Sequence, residues 1–349
     1  MLSDMMHENM IHVKKFLLVP MISGLLVSLM SFAPARHHHR SSEVQDSSEV
    51  TVQDDSILPV IAWFSKRDTM TYWIHDNQWE VNGKDTVMTL GAAAKVMLTV
   101  TDSTKKGYDM EYTFLEFVSD DQIKSETQNL IGQVMDILND ATVGTTIRFR
   151  TDQCGKIVKY YNLKDIRKQA KEVLTKAISK MPYADSLRAV GLKMDKLMSM
   201  IDSDNLVDGY TEEIELLLGE TESHEDATEN EYASDTKTDI WLDPDTYEYG
   251  ISADVYSYIP REDIKALLGN LIEYFTDDES ANDVRKGLDT EFDSQVTTDG
   301  VYNSYVSISY FNDGWPQEVV SQDNISLGDR KKLKQKYITW DYRSVGHSE

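Results

Sequence analysis

The chain has 349 residues, with 35 lysines and arginines against 60 aspartates and glutamates, and a formal net charge of −25. Such acidity repels nucleic acid and anionic membrane surfaces, so neither is expected as a partner. The single cysteine, Cys154, excludes an internal disulfide, and a chain of this length can bury a core without one.

The first residues predict an export signal. Lys14-Lys15 precede the apolar run Phe16–Met30, and the small residues Ala33 and Ala35 follow it as a cleavage pattern, with Arg36 directly after. We expect residues 1–35 to be removed, which leaves no stable membrane span. The alternative is a retained anchor, but a span needs about 20 apolar residues, and this run is shorter and interrupted. An exported protein with one cysteine is typical of a bacterial periplasm.

Residues 36–56 are predicted to be a disordered linker, because they are rich in Ser, Glu, Asp and Gln. Three consecutive histidines, His37 to His39, begin it. They lack further ligands in a fixed geometry, so we assign no metal site to them.

The first half of the remaining chain predicts two hairpins, each followed by a helix. The predicted ranges are 86–102 and 108–118 for the first hairpin, a helix that begins at Ser119, 143–151 and 156–161 for the second hairpin, and a helix from Asn162 to Met181. In the second hairpin Ile147 and Phe149 are expected to face one way, and Arg148 and Arg150 the other. Asn162 is predicted to cap the helix that follows.

A further helix is predicted from Asp185 to Ile201, and an acidic stretch follows it up to Asp239. We expect this stretch to be a solvated loop. The alternative is a calcium loop, whose offsets are partly matched by Asp204, Asp208, Gly209, Glu212 and Glu215. Leu206 stands where that pattern needs an oxygen donor, so the solvated loop is preferred.

The second half is predicted to be rich in strands. The expected elements are strands within 240–259, a helix from Pro260, a short helix over 279–288, and strands over 301–311, 317–321 and 333–342. This order predicts an α+β fold, a long-stranded curved antiparallel sheet with helices packed on one face. We expect one domain over 57–343 with a tail at 344–349; the alternative is two related halves, 57–204 and 237–343, joined by an acidic loop over 205–236.

Candidate chemistry is sparse. His75 is the one histidine within structured sequence, but no nucleophile motif accompanies it. Cys154 lies in a turn with Lys156 as the only nearby charge, so its thiol is expected to be incidental. We therefore assign no catalytic residue, no metal ligand and no cofactor. The frequent tyrosines and tryptophans on alternating strands are expected to be core or sheet-face residues, although an open aromatic face can also hold sugar or lipid.

Two segments carry a resemblance: the strand Lys105-Lys-Gly-Tyr108-Asp-Met-Glu-Tyr112, and the hairpin from Gly144 to Val158 with its Cys154-Gly turn. They resemble elements of uncharacterised exported bacterial proteins. The architecture is also similar, more distantly, to the half-barrel of the LolA/LolB lipoprotein carriers. That likeness implies a curved sheet covered by helices around an apolar cavity, and it implies no functional residues.

Three functions remain as hypotheses. The preferred one is a non-enzymatic binding or carrier module for an apolar or lipid-like ligand in the bacterial envelope. The second is an envelope protein that binds another protein through its acidic loop or a sheet edge. The third is a hydrolase that acts through paired carboxylates.

Overall fold

The computed structural model describes residues 62–119, 142–179, 205–218, 234–275, 285–286, 292–293 and 296–346. The strands are β1 Thr69–Asn82, β2 Asp85–Thr104, β3 Gly107–Ser119, β4 Thr146–Thr151, β5 Ile157–Tyr160, β6 Ser234–Leu242, β7 Tyr249–Ile259, β8 Gly300–Tyr310, β9 Pro316–Leu327 and β10 Arg330–Ser344. The helices are α1 Leu163–Ser179, α2 Asn205–Leu218 and α3 Arg261–Phe275.

All ten strands belong to one sheet, in the order β5-β4-β3-β2-β1-β10-β9-β8-β7-β6. Every neighbouring pair is antiparallel. The first and last strands therefore pair at the centre, and the sheet does not close on itself. The predicted antiparallel sheet is confirmed. The placement of all helices on one face stays a prediction, as does the division into one domain or two.

A row of aliphatic side chains crosses the sheet and defines the face that carries the core. Its members stand directly opposite one another in successive strands, and each is at most 6% exposed: Ile251, Ile308, Val319, Ile338, Ile74 and Ala94. Aligned cross-strand contacts of this kind stabilise a sheet. We call this side the core face.

Helix residues join the same buried clusters. Ile166 of α1 and Ile214 and Leu217 of α2 belong to the main cluster together with core-face residues. In a smaller cluster Ile264 of α3 packs with Ile259 and Leu327, which are also core-face positions. Burial of these apolar side chains against one another stabilises both clusters.

The prediction of a solvated loop between Asp202 and Asp239 is wrong for residues 205–218, which form α2. It also missed the strand that begins at Ser234. The acidic composition drew attention away from apolar residues at helical spacing. Tyr210, Ile214 and Leu217 recur every three or four residues, and Ile214 and Leu217 are fully buried. The candidate calcium ligands from Asp208 to Glu215 therefore lie along one helix and not in a loop.

Asn162 lies directly before α1, but its side chain has another role than the predicted cap. The backbone N–H of Ile166 donates to the Asn162 carbonyl, as expected at a helix start. The side-chain Oδ1 accepts from the N–H of Arg148 at 2.8 Å, and Nδ2 donates to the carbonyl of Thr146 at 2.8 Å. Asn162 thus fastens the helix to β4.

Several predictions lie outside the described residues. They are the signal peptide over 1–35, the linker over 36–56, the helix predicted after Ser119, the helix over 185–201, the acidic segment over 219–233 and most of the short helix over 279–288. Ser119 itself is the last residue of β3. The cleavage residues Ala33, Ala35 and Arg36 are among them.

Candidate functional site

The side of the sheet opposite the core face carries a concentration of aromatic rings. Side chains of a strand alternate between the two faces, so the residues between core-face positions point to this side. Its aromatic members include Trp73, His75, Trp79, Trp241, Tyr256, Tyr258, Tyr305, Tyr337 and Tyr342. We call it the aromatic face.

Three of these rings form a continuous strip at the centre of the sheet. His75 of β1 stands directly opposite Tyr337 of β10. The ring centroids of Trp73 and His75 are 6.4 Å apart and stacked, and those of His75 and Tyr337 are also 6.4 Å apart. Lys95 of β2 places its Nζ 5.3 Å from the centroid of the Trp73 ring. The three rings lie on two adjacent strands, and the cation–π contact with Lys95 extends the strip to a third.

Polar contacts hold both ends of this strip in place. The Nζ of Lys95 pairs with Asp341 Oδ2 at 2.7 Å, and this bond holds the pKa of Asp341 below its usual range. At the other end the Tyr337 hydroxyl donates to Glu318 Oε2 at 2.6 Å, which raises the pKa of Tyr337. A charge-assisted hydrogen bond at each end restricts the rings before any ligand arrives.

Toward the β6 edge the aromatic face becomes more accessible. Trp241 is 44% exposed, Tyr256 40% and Tyr258 50%. Trp241 lies against Gly250, its partner in β7, where an added Cβ would come within 2.5 Å of the indole Nε1. The absence of a side chain at Gly250 lets the indole approach the backbone of β7 closely.

His75 and Cys154, the two residues considered for catalysis, are not brought together with a reaction partner. The ring neighbours of His75 are Trp73 and Tyr337. Cys154 is exposed in its turn, where its N–H donates to Asp152 Oδ1 at 2.8 Å. Among the described residues no group of three or more histidine, cysteine, aspartate and glutamate side chains could hold a metal ion.

A buried charged cluster on the core face was missed by sequence reasoning. Lys336 is 7% exposed, and its Nζ donates to Glu213 Oε1 of α2 at 3.2 Å. The Tyr112 hydroxyl donates to the other oxygen of Glu213 at 2.9 Å, and Asp76 stands opposite Lys336 in β1. Burial alone would lower the pKa of Lys336, but the carboxylates of Glu213 and Asp76 raise it overall. The cluster joins α2 to the sheet.

The hypothesis that the chain is a hydrolase acting through paired carboxylates stays a prediction.

Lys332 lies on the same face of β10 as Lys336, four residues earlier in the strand. It makes the free energy of unfolding dependent on pH. Burial lowers its pKa to about 8; nearby Glu80 opposes this change and Lys334 adds to it. The unfolded lysine has a pKa of about 10.4, so between these two values the unfolded chain binds more protons than the folded one. Stability from this group should therefore rise by about 1 kcal/mol as the pH increases from 8 to 10, after allowance for solvent screening.

Replacement of Lys332 by methionine is expected to remove that rise. Thermal unfolding followed by circular dichroism between pH 7 and about 10 measures it. The exposed neighbour Lys331 provides the matched control, because Lys331→Met should keep the slope of the parent protein. Equal slopes in both variants would contradict the assignment.

A small cavity lies where α1 and α2 approach the start of β4. Its volume is about 20 Å³, and Thr142, Ile166, Val173 and Tyr210 contribute to its lining. That volume holds about one water molecule and no lipid chain. A lipid-sized cavity beneath the helices stays a prediction.

None of the three helices in the described part of the chain is long and apolar enough for a membrane crossing.

No protein-family model and no curated protein sequence matches this chain. Two solved structures are similar in architecture alone. One is lipovitellin, in a structure of its lipid–protein interactions, with 7% identity over 82% of this chain and a TM-score of 0.37; the match spans 26% of the lipovitellin chain. The other is an outer membrane channel from Pseudomonas putida F1, with 8% identity over 84% of this chain and all of the channel, and a TM-score of 0.13.

Proposed function

We propose that the chain is a non-enzymatic binding module that holds an apolar or lipid-like ligand against the aromatic face. The observation that carries this proposal is the strip of Trp73, His75 and Tyr337, three rings in contact across the central strands. Large aromatic surfaces outside a core commonly mark ligand or partner sites. The predicted export signal would place this surface in the bacterial envelope, where lipids are abundant.

The composition of the aromatic face supports an amphiphilic ligand. Apolar side chains such as Val320 and Leu333 alternate with amides such as Gln322 and Gln335 on the same strands. Rings and aliphatic groups favour contact with a hydrocarbon chain, while amides and the Lys95 ammonium can bind a polar head group.

A fluorescent fatty acid, dansyl-undecanoic acid, tests this proposal in a titration followed by dansyl emission. Trp73→Gln should weaken binding about tenfold, because burial of one indole against a ligand is worth roughly 1.5 kcal/mol. Trp63→Gln is the matched control. Trp63 is 72% exposed and lies before β1, outside the aromatic face, so its removal should leave the affinity unchanged.

Thermal unfolding of both variants separates lost binding from lost structure. Trp73 contacts Lys95 and hydrogen-bonds Asp341, but the Lys95–Asp341 ion pair at 2.7 Å is still present in Trp73→Gln, so the variant should remain folded. No binding by the parent protein, or equal binding by all three proteins, would overturn the proposal. Mass spectrometry of the protein purified under native conditions should also detect a co-purified lipid.

A further inference from the structure

The strand β6 is an accessible sheet edge. It is last in the strand order and, in the part of the chain that the structure describes, pairs with β7 alone. All side chains from Asp235 to Leu242 are exposed. The strand has nine residues, whereas β5 at the opposite edge has four. An edge of this length presents a row of backbone N–H and C=O groups that another strand can pair with.

The charges of β6 complement those of a second β6 in antiparallel orientation. Lys237 and Asp239 lie on the same face, and their side chains pair within the strand at 2.8 Å while 76% and 64% exposed. A two-fold axis at Thr238 would place each Lys237 directly opposite Asp239 of the other copy. Directly opposite side chains have Cβ atoms about 5 Å apart, close enough for both ion pairs.

The same charges disfavour the neighbouring registers. A two-fold axis at Lys237 would bring two lysines together, and an axis at Asp239 would bring two aspartates together. Like charges directly opposite each other destabilise a strand pair. With the axis at Thr238, Ile240 stands opposite Thr236, and Trp241 stands opposite Asp235, so no like charges meet.

We propose that two copies of this chain form a symmetric dimer by antiparallel pairing of their β6 strands around Thr238. The interface is isologous, since each copy contributes the same residues. Such an axis is perpendicular to the sheet, so both copies keep their aromatic faces on the same side. The dimer thus extends the aromatic face across the junction. Because each copy carries a net charge of −25, pairing requires ionic screening.

Sedimentation velocity at physiological salt tests the pairing through a charge reversal and its rescue. Lys237→Asp and Asp239→Lys each place like charges opposite one another at both positions, and each should raise the dissociation constant of the dimer at least tenfold. The protein with both substitutions should recover the parent affinity. Lys159→Asp, the same charge change in the opposite edge strand β5, should have no effect.

A cysteine at the proposed axis tests the register. Thr238→Cys is introduced together with Cys154→Ser, which removes the native thiol. Central residues of an antiparallel pair have Cα atoms about 5 Å apart, within the range that a disulfide spans. Mild oxidation should link the two copies. Thr236→Cys in the same background should not link, since its two copies would lie about 13 Å apart. A monomer at all concentrations, a dimer insensitive to the charge reversals, or equal cross-linking of both cysteines would overturn the proposal.

Discussion

Replacement of Lys336 by methionine is expected to lower the free energy of unfolding by about 3 kcal/mol, the usual cost of removing one partner from a buried ion pair. The side chains of Lys336 and Glu213 are 8% and 17% exposed. Without the lysine, Glu213 and the opposite Asp76 would keep buried carboxylate oxygens that have lost the ammonium of Lys336 as their partner. One of these, Oδ1 of Asp76, is already buried without a hydrogen-bond partner. Urea unfolding followed by circular dichroism measures the loss.

An exposed ion pair provides the control for this experiment. Lys66 and Asp102 pair at 3.2 Å with side chains 59% and 51% exposed. Lys66→Met should therefore change the free energy of unfolding by less than about 0.5 kcal/mol. If both lysine substitutions had the same small effect, the charged cluster would not be what joins α2 to the sheet.

Replacement of Gly107 by alanine is expected to lower the free energy of unfolding by about 3 kcal/mol through steric overlap and backbone strain. Gly107 begins β3 with a φ of +126°. An added Cβ would lie 1.9 Å from the carbonyl oxygen of Thr151 and 2.8 Å from the Cα of Asp152. These are backbone atoms at the end of β4, so they cannot rotate away as a side chain would. Urea unfolding of the variant measures the cost.

A substitution at Gly83 separates the cost of backbone strain from the cost of steric overlap. It lies in the turn between β1 and β2 with a φ of +63°, and no atom lies within 4 Å of a Cβ added there. Gly83→Ala should therefore cost only the strain of the left-handed conformation, about 1 kcal/mol. Equal losses at Gly83 and Gly107 would show that the contact with Thr151 is not the cause.

Local patterns were sufficient to predict several hairpins and helices. The alternation in the second hairpin correctly predicts that Ile147 and Phe149 are buried and that Arg148 faces water. The turn at residues 312–314 lies between β8 and β9 as predicted, and α3 begins directly after Pro260. In each case the information lies within a few residues, as a period of two, a turn residue or a helix start.

Elements defined by distant partners could not be predicted in this way. No strand was predicted over residues 69–82, yet β1 is central to the sheet. One of its neighbours is β10, and a hydrogen bond between them, from Thr71 to Asp341, joins residues 270 positions apart. The charged cluster of Lys336, Glu213 and Asp76 depends on the same pairing, so no local pattern indicates it.

The candidate site was only partly accessible from sequence. The aromatic residues on alternating strands were expected to be core or sheet-face residues that can also hold a ligand, and alternation groups Trp73 with His75. That Tyr337 stands beside His75 follows from the register of β1 and β10, which the residues of either strand alone do not determine. The strip of three rings therefore forms only when β1 and β10 pair in this register.

The pairing of β1 with β10 has a consequence during synthesis on the ribosome. β1 leaves the ribosome early and can pair at once with β2, but its other edge must wait for β10, the last of the described strands to emerge. For almost the whole of translation the future centre of the sheet is an unprotected edge with aromatic side chains, which favours pairing with the wrong strand. Such late, long-range closure also slows folding. We therefore expect chaperones that shield β1 until its partner arrives to raise the yield of folded protein.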